Sequence, residues 1–128
     1  MANFKKYILL PATPQEVYLA LTIPQSIQLW TGAEVEFQAQ ENTEFSLWEG
    51  DIVGKNISFE QDKKIVQEWY FGEKEPSIVT IKLHEDKKGT SLEYSQTNIP
   101  DEDFKEFTQG IEEYFLGGLI DFFEIENI

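Results

Sequence analysis

The middle of the chain, residues 34–98, alternates apolar with polar side chains, which is the period of a β-strand with one buried face. Turn residues such as Gly50-Asp51 and Gly89 separate the alternating stretches. These stretches are Val35 and Phe37, Phe45 and Leu47, Ile57 and Phe59, and the runs 65–71, 79–83 and 92–94. They predict six strands, and the apolar segment 4–10 predicts one more. We therefore expect a curved antiparallel sheet of six to seven strands.

Two short helices are predicted directly after the first strand. Thr13-Pro14-Gln15-Glu16 combines a capping box with proline at the first helical position. Pro24 interrupts this helix and is itself suited to open a second one, which continues to Trp30.

The last segment, 101–125, returns to helical spacing with one broad apolar face. That face consists of Phe104, Phe107, Ile111, Tyr114, Phe115, Leu119, Phe122 and Phe123. The pattern predicts a long C-terminal helix, with Gly110, Gly117 and Gly118 permitting close packing or a bend.

The order of these elements predicts the fold class. An apolar helix face and a one-sided sheet must bury each other, so the long helix packs across the sheet. We expect an α+β protein of the helix-grip type, with two short helices after strand 1 and the long C-terminal helix packed across one face of the curved sheet.

Length and composition narrow the classes of protein. The 128 residues suit one domain, 1–128, that buries a single core. The chain has no cysteine, which removes disulfides and thiolate chemistry and indicates a reducing, cytoplasmic location. Its first apolar run stops at Pro11, too soon for a signal peptide or a membrane span.

The net charge of -14 bears on the choice of partner. It repels nucleic-acid phosphates and anionic membrane surfaces, so we expect neither as a partner. The same charge favours encounter with a basic protein surface, although an acidic composition also serves solubility alone.

Titratable residues predict no catalytic site. His84 is the only histidine, which removes multi-histidine metal sites and histidine-based triads, and the strand period places it on the solvent face. The pairs Glu34 and Glu36 and Glu112 and Glu113 fit solvated faces better than an acid–base couple. We expect no catalytic residues, no metal and no cofactor.

A cavity between sheet and helix is the alternative site. Gln67 falls between Ile65 and Trp69 on the inward face, where its amide either pairs with the backbone or marks a ligand cavity. Tyr94 and Tyr114 offer hydroxyls in the same space. The ten phenylalanines favour a small or nearly filled pocket. The candidate cavity residues are Phe45, Gln67, Trp69, Ile81, Tyr94, Phe107, Ile111, Tyr114, Phe115 and Leu119.

Several segments together resemble one known family. The stretch from Ala12 to Thr22 is similar to the opening of helix-grip domains in the birch-pollen-allergen and lipid-transfer superfamily. The hairpin Glu49–Gly54 and the strands Lys64–Phe71 and Thr80–Leu83 resemble the C-terminal domain of the activators of the heat-shock protein 90 ATPase. The ending Thr108–Phe115, followed by Gly118-Leu119-Ile120, is similar too.

This resemblance implies a non-catalytic module that binds a heat-shock protein 90-type chaperone. In the eukaryotic cochaperones of this family a separate N-terminal domain makes a major part of the chaperone contact, so we expect contact by residues 1–128 alone to be weak. The alternative that the superfamily implies is a small hydrophobic ligand held between the sheet and the C-terminal helix.

Overall fold

The computed structural model describes the backbone of residues 1–126 and the side chains of residues 1–124, which form one antiparallel sheet with helices against it. The strands are β1 Ala2–Leu10, β2 Glu44–Leu47, β3 Ile52–Glu60, β4 Lys64–Trp69, β5 Ser77–Asp86 and β6 Gly89–Ile99. The helices are α1 Pro14–Thr22, α2 Pro24–Thr31, α3 Phe104–Gly110, a π-helical segment Ile111–Leu116 and α4 Gly117–Glu126. Single 3₁₀ turns lie at Trp48–Gly50 and Asp101–Asp103.

The sheet has six strands in the order β1-β6-β5-β4-β3-β2, so β1 and β2 are its edges. The α+β helix-grip fold is thereby confirmed. Val35 and Phe37 do not form a further strand, because their segment makes only an isolated bridge between Glu36 and Ser46. Phe37 still contributes its ring to the core, since its ring centroid lies 6.2 Å from that of Phe45 and 6.5 Å from that of Phe59.

The start of α1 follows the predicted capping box. The Thr13 hydroxyl accepts from the Glu16 backbone N–H at 3.2 Å, and the Thr13 backbone N–H donates to the Glu16 carboxylate at 3.0 Å. Ile23 then ends α1, and Pro24 begins α2, because proline cannot donate the hydrogen bond that would continue the first helix.

A bulge in β3 changes which residues face the core. The register to β4 shifts between Asn56 and Ser58, so Asn56 lies opposite Gln67 and Phe59 lies opposite Ile65. An extra residue re-aims the side chains that follow it. The inward position therefore belongs to Asn56, which is fully buried, and not to Ile57 as the alternation indicated.

The three C-terminal segments form one continuous helix. Gly110, Ile111 and Gly117, at the junctions, all have helical backbone angles. The helix lies close against α2 at Gly118. A Cβ added at this residue would lie only 2.8 Å from the Trp30 carbonyl oxygen. No helix among residues 1–126 combines the length and apolarity needed to cross a membrane.

Candidate functional site

The space between sheet and helix is filled by side chains. Phe115 lies on the π-helical segment. Its ring centroid is 4.9 Å from that of Trp30, 5.7 Å from that of Trp69 and 5.6 Å from that of Tyr94. Seven of the ten candidate cavity residues are at most 3% exposed: Phe45, Trp69, Ile81, Tyr94, Ile111, Phe115 and Leu119. The void left among the described residues here measures about 20 Å³, room for roughly one water molecule.

Gln67 is buried in this interior, and its amide is paired with other side chains and not with the backbone as the sequence indicated. Its Nε2 donates to Oδ1 of Asn56 at 2.9 Å, and its Oε1 accepts from the Trp69 indole N–H at 2.8 Å. Asn56 in turn donates to the Gln38 carbonyl oxygen at 2.9 Å. The amide is therefore satisfied within the protein and has no need of a ligand.

Tyr94 is equally well satisfied. Its hydroxyl donates to Oε1 of Gln96 at 2.7 Å, and Nε2 of Gln96 donates to the Ser77 hydroxyl at 2.9 Å. Burial raises the pKa of Tyr94 well above its usual value, because the phenolate form would lose its hydration. Among the described residues every buried side-chain nitrogen and oxygen has a hydrogen-bond partner.

A solvent-facing cavity lies at the surface, beside the C-terminal helix. It has a volume of about 580 Å³ and is open to solvent. We call it the Trp48 groove. It is lined by Thr31, Trp48, Asp51, Ile52, Glu106, Phe107, Gly110, Ile111 and Tyr114.

The turn that carries Trp48 forms one wall of the groove. Trp48, Glu49 and Gly50 all have left-handed backbone angles, with φ of 50°, 53° and 97°. Such a conformation is unfavourable for the first two residues and persists only where surrounding contacts hold it. The Trp48 indole N–H donates to the Thr31 carbonyl oxygen at 2.9 Å, and its ring contacts Trp30 at 6.4 Å, so the wall is fixed to the end of α2.

The opposite wall is a face of the C-terminal helix. Phe107 is held there by ring contacts with Trp69 at 6.0 Å and Phe71 at 4.9 Å. A Cβ added at Gly110 would meet no atom within 4 Å, so this glycine leaves open space in the groove. Tyr114, in the π-helical segment, is 62% exposed at the margin.

The charged residues of the groove, Asp51 and Glu106, are both acidic. Neither takes part in an ion pair with any of the side chains described, those of residues 1–124. The groove therefore combines aromatic and aliphatic walls with uncompensated negative charge.

Of the predicted cavity residues, the Trp48 groove brings together Phe107, Ile111 and Tyr114, whereas Gln67, Ile81 and Phe115 border the small interior void. Sequence reasoning missed Trp48, Asp51 and Glu106 as site residues. The hairpin Glu49–Gly54 was the sequence signal for the turn itself, but nothing in it indicates a groove beside the C-terminal helix.

The titratable residues that the sequence singled out lie on solvent-facing surfaces. His84 is exposed on the outer sheet face, as the strand period predicts, and its Nε2–H donates to the Glu93 carboxylate at 3.0 Å. The pairs Glu34 and Glu36 and Glu112 and Glu113 are exposed. Among residues 1–124, whose side chains are described, no three metal-ligating side chains come together.

Comparison with known proteins gives a family match along most of the chain. The model of the family "Activator of Hsp90 ATPase homolog 1-like protein" matches residues 11–124. An activator of 90 kDa heat shock protein ATPase homolog from Dictyostelium discoideum is 29% identical over 102 residues, which are 77% of this chain and 27% of the relative. The human homolog 1 is 28% identical over 110 residues, 84% of this chain and 32% of the relative. The chain thus spans about a third of the length of these relatives.

Solved structures share the fold. An Aha1 dimer from Colwellia psychrerythraea, solved in solution, superposes with a TM-score of 0.84 over 98% of both chains at 18% identity. An Hsp90 activator from Plasmodium falciparum superposes with a TM-score of 0.70 over 90% of this chain and 96% of the other at 23% identity. These two likenesses concern the fold, and the match over residues 11–124 decides the family. The chain belongs to the activator of Hsp90 ATPase homolog 1-like family.

Proposed function

We propose that this chain is a non-enzymatic interaction module that binds a heat-shock protein 90-type chaperone and stimulates its ATPase. The observation that carries the proposal is the family match along residues 11–124, whose relatives are named as activators of that ATPase. The module would act by binding one conformer of the chaperone more tightly than the others and so raising its population. The proposal includes residues 1–128 as one domain with a cytoplasmic location.

The arrangement of side chains supports binding rather than catalysis. The sheet–helix interior holds a void of only about 20 Å³, and its buried polar groups bond to one another. The single histidine lies on the outer face of the sheet, away from the Trp48 groove. A surface groove with a rigid aromatic wall is a feature suited to a protein partner.

A titration with the host's own heat-shock protein 90 homologue tests this function. We expect a saturable rise in the ATPase rate, measured with the inhibitor-insensitive background subtracted. Contact is expected to be weak, with a Kd of up to about 1 mM, which corresponds to about 4 kcal/mol of binding free energy. If neither binding nor stimulation is seen at about 100 μM, where such a contact begins to register, the chaperone role is wrong.

A small apolar ligand is the second candidate function, and the groove volume of about 580 Å³ favours it. Ligand pockets commonly measure roughly 300–1,000 Å³ and are largely apolar. Native mass spectrometry of freshly purified protein checks this candidate. A co-purifying small molecule supports it, and the mass of the bare chain alone counts against it.

A further inference from the structure

We propose that the Trp48 groove recognises a protein segment that presents a large apolar side chain next to lysine or arginine. This inference rests on the proposed chaperone-binding function and names the surface and the chemistry that such binding would use. Neither the family match nor the relatives' names assign a docking site to this part of the molecule.

The shape of the groove indicates an inserted side chain. Phe107 and Ile111 form the helix wall, Trp48 and Ile52 form the opposite wall, and Gly110 leaves room between them. Apolar anchors that fill a preformed pocket supply most of the binding energy in protein interfaces. The Trp48 wall is preformed, because its indole is bonded to Thr31 and packed on Trp30.

The charge of the groove selects the neighbours of that anchor. Asp51 and Glu106 line the groove without an ion-pair partner in the described part of the chain. A lysine or arginine beside the anchor would pair with them, and an arginine can do so through two parallel hydrogen bonds. The net charge of -14 adds a long-range attraction for a basic segment.

Other occupants fit this combination less well. A second copy of the chain would bring two proteins of charge -14 and two acidic grooves together, which costs electrostatic energy. A neutral apolar molecule would cover the walls but leave both carboxylates without a cation. A basic and apolar protein segment satisfies both features at once.

Two synthetic peptides test the chemistry directly. The first is an amphipathic helix of about 15 residues built from leucine and lysine, and the second replaces lysine by glutamate. We expect the leucine–lysine peptide to bind in a calorimetric titration, with amide NMR shifts concentrated at Trp48, Ile52 and Gly110. The leucine–glutamate peptide is expected not to bind, and equal binding of both peptides overturns the inference.

Two groove variants have matched controls on the same molecule. Gly110→Leu places a side chain in the open space of the groove, while Gln109→Leu adds the same side chain at an exposed neighbouring position. The pair Asp51→Lys and Glu106→Lys reverses the groove charge, while Glu41→Lys and Glu85→Lys makes the same change of net charge at exposed sites elsewhere.

We expect each groove variant to weaken leucine–lysine peptide binding by about tenfold or more, a loss typical of a central anchor or a close charge pair. The Kd of the control variants for the peptide is expected to stay within about threefold of the Kd of the unsubstituted chain, because a general change of net charge is partly screened by salt. Circular dichroism checks that every variant folds. Folded groove variants that bind like their controls overturn the inference.

The chaperone titration with the same variants separates this inference from the proposed function. If the chaperone binds equally well to Gly110→Leu and to the variant with reversed groove charge, the proposed function stands. The groove is then not the docking surface for the chaperone. Chaperone binding that falls with peptide binding supports both. If the chaperone does not bind at all, the proposed function fails, and the peptide titrations still decide what the groove recognises.

Discussion

At the scale of single residues, the buried polar side chains of the interior have defined partners, as the aromatic side chains do. Alternation along β4 correctly placed Gln67 on the inward face. Its partner Asn56 was not predictable, because the bulge in β3 moves Asn56 into the inward position that the sequence pattern gives to Ile57. A pattern of period two contains no information about an inserted residue until the partner strand is known.

Gln67→Met should therefore be destabilising although methionine is apolar and of similar length. It removes the acceptor of the buried Trp69 N–H and the donor to Asn56. Each unsatisfied buried group costs about 1–3 kcal/mol, so we expect the free energy of unfolding to fall by about 2 kcal/mol or more. Urea denaturation measures the change. Gln28→Met, at an exposed position of α2, is the control, and an equal effect of both substitutions would contradict the account.

Glu93, on the outer sheet face, is expected to make the free energy of unfolding depend on pH. The hydrogen bond from His84 is the main cause that lowers the pKa of Glu93, and the positive charges of Lys5 and Lys82 act in the same direction against burial. Because the pKa is lower in the folded state, ionised Glu93 stabilises the fold at neutral pH. That contribution is lost as the pH falls through the folded-state pKa.

Glu93→Gln should therefore destabilise the protein at pH 7. Its effect should diminish below about pH 4, because the carboxyl of the unfolded chain takes up a proton there before that of the folded chain does. Unfolding free energies of both proteins across this pH range test the prediction. Glu85→Gln, at an exposed position near the end of β5, is the control and is expected to change the free energy of unfolding by less than about 0.5 kcal/mol at pH 7. A pH-independent gap between Glu93→Gln and the original chain would exclude this linkage.

At the scale of elements, periodicity identified every helix and six of the strands. It was wrong where a segment alternates apolar and polar side chains but does not pair with a neighbouring strand. Val35 and Phe37 alternate as a strand does, and Phe37 does face the core, but only Glu36 pairs with the sheet. Strand formation needs a partner along its length, which alternation cannot supply. The π-helical turn at Ile111–Leu116 likewise has no period that distinguishes it from α-helix.

The glycines of the C-terminal helix provide a matched test of helix packing. Gly118→Ala gains helix propensity but drives a Cβ to within 2.8 Å of the Trp30 carbonyl oxygen, which belongs to the backbone of α2. We expect a net loss of about 1–3 kcal/mol in the free energy of unfolding. Gly110→Ala meets no atom within 4 Å and should gain about 1 kcal/mol. Urea unfolding of both variants measures the effects, and a gain in stability for Gly118→Ala would show that the helices are free to move apart.

At the scale of the whole molecule, the sequence predicted that the core would be nearly filled but not where open space remains. The abundance of phenylalanine indicated a small internal pocket, and the interior void of about 20 Å³ agrees with it. The Trp48 groove depends on how far the helix stands from the turn at residues 48–50, and that distance follows from three left-handed residues and a π-helical turn. None of these has a hydrophobic period.

Phe115→Ala tests whether one ring keeps this interior closed. Phe115 is 3% exposed and contacts Trp30, Trp69 and Tyr94. We expect a loss of about 3–5 kcal/mol in the free energy of unfolding. The vacated apolar space should bind benzene, detected as a rise in Tm that the original chain does not show.

The adjacent Tyr114→Ala is the control, because this side chain is 62% exposed and its loss should change stability by less than about 0.5 kcal/mol. Benzene stabilisation of the original chain to the same extent as Phe115→Ala would mean that the interior is already able to admit a guest.

The open edges of the sheet carry a consequence for behaviour at high concentration. A free strand edge invites another chain to add to it and begin a fibril. On β1 the ammonium groups of Lys5 and Lys6 lie 3.8 Å from Glu93 and 3.6 Å from Glu112, and an added strand would have to strip water from these charges. On β2 the Glu36–Ser46 bridge already occupies part of the edge. Replacing both lysines by threonine would remove this protection and should shorten the lag before amyloid-specific dyes report polymerisation.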